Sequence, residues 1–383
     1  MTGDVSDLLV IGGGVMGLFT AYHAAKTSAR VVVLERGRIG DPTTASYGRT
    51  RSFRNDYLDP TYARLAHEAF HLWGDFERET GSEVLIRCGC LNIGKRAITP
   101  DLARAYAQLS VETLRRLSLK TESFDGEALR RRFSYLDADV AHLDVDGGVV
   151  DLPAVTRALT TALGERTREG VTASAIVPED GCYRVISDAG EFVTRSLVVT
   201  AGHGTNDVLT LLPECQLRVP IIRDRPSEAK YFTPPTGARH QFTSDAMPVI
   251  AYLDAGIYCH PIVEGLVDAV KVGYYHPPDL PGERARIDGI ASFVEQCMPG
   301  LATATVRDVD DVDQCDYDLV ADDEFVLGPI PGFANAFVGV GWRGTGYKFA
   351  PWVGRVLAGC ALRGGTDYDI DRFEPARFLE AIR

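Results

Sequence analysis

No apolar run in the 383-residue sequence approaches the roughly 18 residues that a membrane span requires. Positive charge is in deficit: 40 Lys and Arg stand against 53 Asp and Glu, for a net charge of −13. That balance argues against a nucleic-acid backbone or an anionic membrane surface as the main partner, and leaves room for a local basic pocket. Cysteine is sparse and scattered, at Cys88, Cys90, Cys182, Cys215, Cys259, Cys297, Cys315 and Cys360, which does not read as a disulfide framework. The "CGC" at 88–90 is too short for a CxxC redox or zinc motif, and no metal site is expected. The opening "MTGDVSDLLVIGGG" has neither a basic n-region nor a cleavable apolar core, so the expectation is a cytosolic, reducing compartment. Repeats, low-complexity tracts and long linkers are also missing.

What is present is a series of strand–glycine–helix elements. The length suits two interleaved or tandem domains. "DLLVIGGGVMGLFTAYHAAKTSARVVVLER" reads strand, glycine turn, helix, strand, the shape of a βαβ unit. "PTYARLAHEAFHLWGDFERETG" opens with Pro60, carries helical apolar spacing through Leu65, Phe70, Trp73 and Phe76, and stops at Gly81. Helices are also predicted at 101–118, 153–168 and 283–297, and a strand-rich stretch between about 211 and 280. "EFVTRSLVVTAGHGTN" and "AFVGVGWRGTGYKFAPWVGRVLAGCAL" repeat the strand–glycine pattern in the middle and at the end of the chain. A nucleotide domain split into several pieces, with a strand-rich domain inserted, accounts for that order.

Gly12, Gly14 and Gly17 form GxGxxG directly after a strand and at the opening of a helix. The first glycine permits the tight turn, the second lets backbone approach a pyrophosphate, and the third lets helix and strand pack closely. Glu35 closes the next strand, 18 residues beyond Gly17, where a carboxylate accepts ribose hydroxyls and disfavours a 2′-phosphate. This fingerprint serves FAD and NAD alike.

"ASYGRTRSFRNDY", "KVGYY", "CDYDLVADDEFVLG" and "GWRGTGYKFAPWVGRVLA" occur in the order and approximate spacing of the monomeric sarcosine oxidase family. That family includes N-methyltryptophan and pipecolate oxidases, within the wider D-amino acid/glycine oxidase group of flavoproteins. The resemblance spans nearly the whole chain and is loosest in the middle third. It implies an α/β fold with a discontinuous, Rossmann-type FAD-binding domain of the glutathione reductase kind, from 1–85, 143–210 and 310–383. An antiparallel-sheet substrate domain, from 86–142 and 211–309, is inserted.

The resemblance also implies roles. Cys315 matches the position where a cysteine sulfur is joined to the 8α-methyl of FAD; read by itself, it is a small buried strand residue amid acids that strand alternation can turn outward. Gly12, Gly14, Gly17, Glu35, Arg36, Ser46, Gly48, Arg49, Ala201, Gly202, Gly344, Thr345, Gly346 and Lys348 fall at cofactor-binding positions. Arg51 resembles the arginine lying against the flavin and Arg54 the one that binds the substrate carboxylate, with Lys348 its partner and Trp342 beside them. Clustered arginines suit such recognition by bidentate hydrogen bonds. The default reading of Arg49 alone is a surface salt bridge. Lys348 is placed in the first turn of a helix, where a lysine opposes the helix dipole and points to an anionic partner. Lys271 resembles the lysine that activates oxygen, with Tyr258 and Tyr275 as further catalytic candidates; alternation puts Lys271, Gly273 and Tyr275 on one face.

Three departures bear on the substrate: Tyr275 stands where sarcosine oxidase has histidine, Thr345 where histidine is usual, and Arg343 where a small or aromatic residue is usual. Together they favour a substrate larger than sarcosine, as in tailoring steps of secondary metabolism. The implied activity is oxidation of a secondary amino acid, such as an N-substituted glycine, by hydride-equivalent transfer to flavin N5. Imine hydrolysis follows, and oxygen is reduced to hydrogen peroxide. Partners are then the amino acid and oxygen, and the enzyme a monomer or homodimer. The alternatives are a cyclic imino acid (pipecolate or piperideine carboxylate) oxidase, a flavin dehydrogenase with another electron acceptor, a non-catalytic nucleotide-binding protein, and an NAD-linked dehydrogenase.

Overall fold

A computed structural model describes residues 5–224, 229–274, 287, 289–309 and 317–379. Tyr275 and Cys315 lie outside these residues, as does the start of the helix predicted at 283–297.

Strand β1 (Ser6–Ile11) is apolar and almost wholly buried, as befits a strand covered on both faces. It pairs in parallel with β2 (Val31–Glu35) and with Gly190–Val199. Thr167–Glu169 extends the parallel sheet beyond β2, and Ala336–Val340 extends it beyond Gly190–Val199. The start, middle and end of the chain therefore share one sheet. Helix α1 (Val15–Ala25) connects β1 to β2. The C-terminal helix Ala350–Arg363 packs on α1 so closely that a Cβ on Gly354 would sit 2.5 Å from the Phe19 backbone.

A second eight-stranded sheet runs Thr305–Asp308, Ala229–Thr233, Val270–Tyr274, Ile257–His260, Val249–Tyr252, Cys90–Gly94, Val140–Asp144, Thr121–Asp125. It is not wholly antiparallel as expected, because Val249–Tyr252 pairs in parallel with Cys90–Gly94. Two separate excursions of the chain meet there, so no hairpin dictates direction. Its outer face carries an apolar core with Phe242, Phe293 and Met298. Between the sheets, β3 (Thr50–Phe53) pairs with Gly148–Asp151.

Helix α2 (Pro60–Thr80) keeps its predicted limits. The Asp59 side chain accepts from the Thr61 N–H at 2.7 Å, and Gly81 ends the helix at φ +66°. The helix predicted at 101–118 is shorter, a 3-10 turn at Leu102–Arg104 followed by Tyr106–Arg116. That predicted at 153–168 stops at Leu163, where Gly164 takes φ +52° and the chain turns into Thr167–Glu169. A left-handed glycine and a strand partner for the next residues override helical spacing. Among the described residues no helix is long and apolar enough to cross a membrane.

Candidate active site

One cavity of about 670 Å³ runs from the β1 turn to the inner face of the second sheet. At its first end, Gly12 takes φ +111°, and a Cβ there would lie 2.4 Å from the Thr200 carbonyl oxygen. A Cβ on Gly17 would lie 2.0 Å from the Gly12 carbonyl oxygen, so the glycines are required by steric contact as well as by φ. The Glu35 carboxylate lines the cavity and accepts from the N–H groups of Gly13 (2.7 Å) and Gly37 (2.8 Å). Ser46 Oγ accepts from the Val15 N–H at 2.9 Å, closing the first turn of α1. Arg36, Ala201 and Gly202 complete this end.

The other end is a face of the second sheet. Residues opposite one another on neighbouring strands share a face, so Tyr231, Lys271 and His260 form one row across three strands. Ala229, Gly273, Tyr258, Ala251 and Asn92 form the next. Tyr258 lies over Gly273, where a Cβ would be 2.6 Å from its hydroxyl; glycine leaves room for the phenol. Lys271 is 2% exposed and lines the cavity.

Arg51 folds back on its own loop, donating to the carbonyls of Tyr47 (2.7 Å) and Thr50 (3.0 Å). A Cβ on Gly48 would meet its guanidinium at 2.7 Å. Gly48 thus acts by making space and does not itself line the cavity. Arg49 is half-buried and outside the lining, with Nη1 3.4 Å from the Tyr231 hydroxyl. Gly17 is also behind the cavity wall.

Arg54 is buried against its own counter-ion. Its Nη1 donates to the Asp56 carboxylate at 2.7 Å and carbonyl at 2.9 Å, and it stacks 4.6 Å from the Tyr57 ring centroid. Lys348 lies in a 3-10 turn, Gly346–Phe349, ahead of the helix and not in the helix itself. Its Nζ donates to the Thr345 carbonyl (2.9 Å) and hydroxyl (2.5 Å). Trp73 Nε1 pins the turn by donating to the Lys348 carbonyl at 2.8 Å. Burial, then the charge of Arg54, holds the Lys348 ammonium well below the usual lysine range. Bringing a carboxylate in would reverse that bias. Gly344, Thr345, Gly346 and Trp342 line the same wall.

Arg343 departs from expectation. Its guanidinium pairs with Asp323 and lies 4.7 Å from the Tyr62 ring centroid, and it does not line the cavity. A loop residue at φ +58° turns it away. Its identity therefore does not shape the chamber, whereas that of Thr345 does.

Sequence reading overlooked several cavity residues. His260 lines the chamber, and its signal was the alternation that puts it on the face of Tyr258. Val249, Ala251 and Leu253 form an apolar wall. Asp56, Asn92 and Asp144 make a buried polar group behind Arg54; burial and then Asp56 push the Asp144 carboxyl up to about 7. Asp318 also lines the cavity, its carboxyl pushed up to about 6 by burial. Among the described residues no group of three or more His, Cys, Asp or Glu could hold a metal ion.

A glycine cradle open to the cavity, a carboxylate at the end of the second strand and a cation-lined chamber define a dinucleotide-binding oxidoreductase, and they fit FAD. The sequence matches the FAD dependent oxidoreductase (DAO) family over residues 7–359. It is 30% identical to human peroxisomal sarcosine oxidase over 98% of this chain and 97% of that one. Its identity to monomeric sarcosine oxidase of Streptomyces avermitilis is 27% over 98% of both. The fold superposes on L-proline dehydrogenase from P. horikoshii with a TM-score of 0.80, at 18% identity over 99% of both chains. The chain belongs to the FAD dependent oxidoreductase family, in its sarcosine oxidase and N-methyl amino acid oxidase group, and is an FAD-dependent amine oxidase.

Proposed function

We propose that the enzyme oxidises a secondary amino acid larger than sarcosine, with oxygen as electron acceptor. The observation that carries this reading is the meeting of Arg54, Lys348, Tyr258 and Lys271 in one chamber continuous with the glycine cradle. Gly12, Gly14, Glu35, Ser46 and Ala201 would hold the cofactor's dinucleotide part, with Arg51, Thr345 and Gly346 at its ring end. Bound FAD supplies the two-electron acceptor that oxygen regenerates. Lys348 and Arg54 bind the substrate carboxylate by charge-assisted hydrogen bonds. Tyr258 and Trp342 confine the amine, and the wall of Val249, Ala251 and Leu253 accepts an apolar ring or chain. Lys271 places a buried cation where oxygen is reduced. Overall, amine, oxygen and water give a carbonyl compound, an amine and hydrogen peroxide. The same wall suits a cyclic imino acid, for which the two ends of the carbonyl product stay in one molecule.

The covalent link belongs to this proposal. Val309 lines the cavity before the segment containing Cys315, and Tyr317 and Asp318 line it just after, which supports attachment through Cys315. Retention of the yellow colour by acid-precipitated protein, and its release from Cys315→Ala, would establish the bond. The substrate reading is tested by peroxide release from N-substituted glycines and cyclic imino acids. No peroxide from any of them, with the flavin in place, would overturn it.

A further inference from the structure

The two arginines assigned to flavin and substrate lie on one short segment, 50–57, that connects the dinucleotide fold to α2. Its own strand pairing is slight: β3 has four residues and, among the described residues, one partner strand of matching length. A strand so short does not by itself fix the direction of side chains as long as arginine.

The inner face of the second sheet supplies what is missing. His260 is 2% exposed, and both ring nitrogens are engaged: Nδ1 with Thr50 Oγ1 and Nε2 with Ser52 Oγ, each at 2.8 Å. Thr50 and Ser52 are two apart on β3, so they share a face and Arg51 takes the other. Further along the segment, the Asn55 N–H and Nδ2 donate to Asp144 at 2.5 and 3.2 Å. Asn92 Nδ2 donates to Asp56 at 2.9 Å, and Asp56 in turn accepts from Arg54. Residues on three strands of the sheet, Ile257–His260, Cys90–Gly94 and Val140–Asp144, therefore grip the segment at successive points.

We infer that His260 is a positioning residue: a two-point clamp that fixes the rotation of β3 against the substrate sheet and so aims Arg51 and Arg54 into the cavity. One hydrogen bond to the strand would leave it free to pivot; two, on successive side chains of one face, do not. A neutral imidazole donates from one nitrogen and accepts at the other, and hydroxyl groups can complete either tautomer. The clamp is thus satisfied without a buried charge beside Lys271, its cross-strand neighbour. Phenylalanine would fill the same space and make neither bond. The role assigned to Arg54 rests on the carboxylate reading above; that of Arg51 does not.

The test uses the holoenzyme with His260→Phe, with Thr50→Val/Ser52→Ala, and with all three changes. Propionate, a carboxylate without an amine, is titrated against the flavin absorbance, and visible circular dichroism reports how the bound flavin is held. The expected result is about a ten-fold weaker propionate affinity and a changed dichroism in His260→Phe. Thr50→Val/Ser52→Ala should do the same, and the triple variant should be no worse than either, because the groups act as one unit. His260→Gln, which can keep one bond, should recover part of the loss. Wild-type affinity and dichroism in His260→Phe would overturn the clamp, as would losses that multiply in the triple variant. Should His260→Phe not fold, the Thr50→Val/Ser52→Ala pair decides by the same two readouts, since it removes both bonds without touching the sheet. A wild type that does not bind propionate would overturn the carboxylate reading, and the dichroism alone would then decide the clamp.

Discussion

The two ends of the cavity are built by opposite means. At the cradle, Gly12, Gly14 and Gly17 lie within six residues of sequence, and what they provide is the absence of side chains. In and just behind the chamber, Thr50, Asn92, Asp144, His260, Lys271 and Lys348 come from separate stretches of the chain, and what they provide is side chains in register. The first end depends on backbone shape that a single Cβ destroys. The second depends on a network in which each member is held by others, so loss should be graded.

The sharpest test of that contrast is at the cradle. Gly17→Ala puts a Cβ 2.0 Å from the Gly12 carbonyl oxygen, a contact with backbone that no rotamer relieves. Overpacking of this kind costs ~1–3 kcal/mol or more, and here it also spreads the turn that we propose holds the pyrophosphate. We expect purified Gly17→Ala to carry little or no flavin and to melt well below the wild type. Normal flavin content would mean that the cradle yields, and that the contrast with the chamber is false.

Legibility followed the same division. The glycine fingerprint, α2 with Pro60 and Gly81, and the parallel strands around β1 could be read from local pattern. The position of Lys271, Tyr258, Arg54 and Lys348 at the cavity could be expected too, though only through motifs matched to a family. Alternation with Tyr258 gave the face of His260, but not what it holds; the contacts of His260, Asp56 and Asp144 could not be read, because their partners lie about 210, 36 and 89 positions away. Arg343 misled for a related reason: its departure from the small or aromatic residue usual in the family was read as bearing on the substrate, while a left-handed backbone sends it to Asp323.

Lys271 gives the next largest effect. An electron passing to oxygen creates an anion, and a buried ammonium offsets it far better than bulk water. Lys271→Met should slow reaction of the reduced enzyme with oxygen by orders of magnitude, and change anaerobic reduction by substrate far less. Stopped-flow measurement of the two half-reactions distinguishes them. Equal losses in both would make Lys271 a substrate-binding or structural residue.

Lys348→Met should have a smaller effect, about one to two orders of magnitude in affinity for a carboxylate inhibitor, with flavin content unchanged. The methionine fills the lysine's volume, and Thr345 keeps the Tyr57 hydroxyl at 2.5 Å. If flavin is lost along with inhibitor affinity, the two ends of the cavity are not energetically separate.

Asp144 offers the most diagnostic effect, spread over pH so that each step is small, because it tests the network by titration. Its carboxyl is pushed up to about 7 from an ordinary 3.8, through burial first and the nearby Asp56 second, against the hydrogen bonds from Asn55. A raised acid binds its proton more tightly in the folded protein than in the unfolded chain. Its contribution is therefore most favourable below the unfolded value, near pH 4, and declines as pH rises toward 7. The side-chain amide of the Asp144→Asn variant cannot titrate and keeps one acceptor for the Asn55 N–H. The variant should be the less stable protein at pH 4 to 5 and should gain on the wild type as pH approaches 7, by ~1.4 kcal/mol per pH unit at most. Melting temperatures of the two proteins, compared at each pH, isolate this group from the other carboxylates that titrate in the same window. A constant difference from pH 4 to 8 would mean that Asp144 is ionised throughout, its burial being offset by Asn55 and the Arg54–Asp56 pair. The grip on segment 50–57 would then be a fixed charge network and not a proton-dependent one.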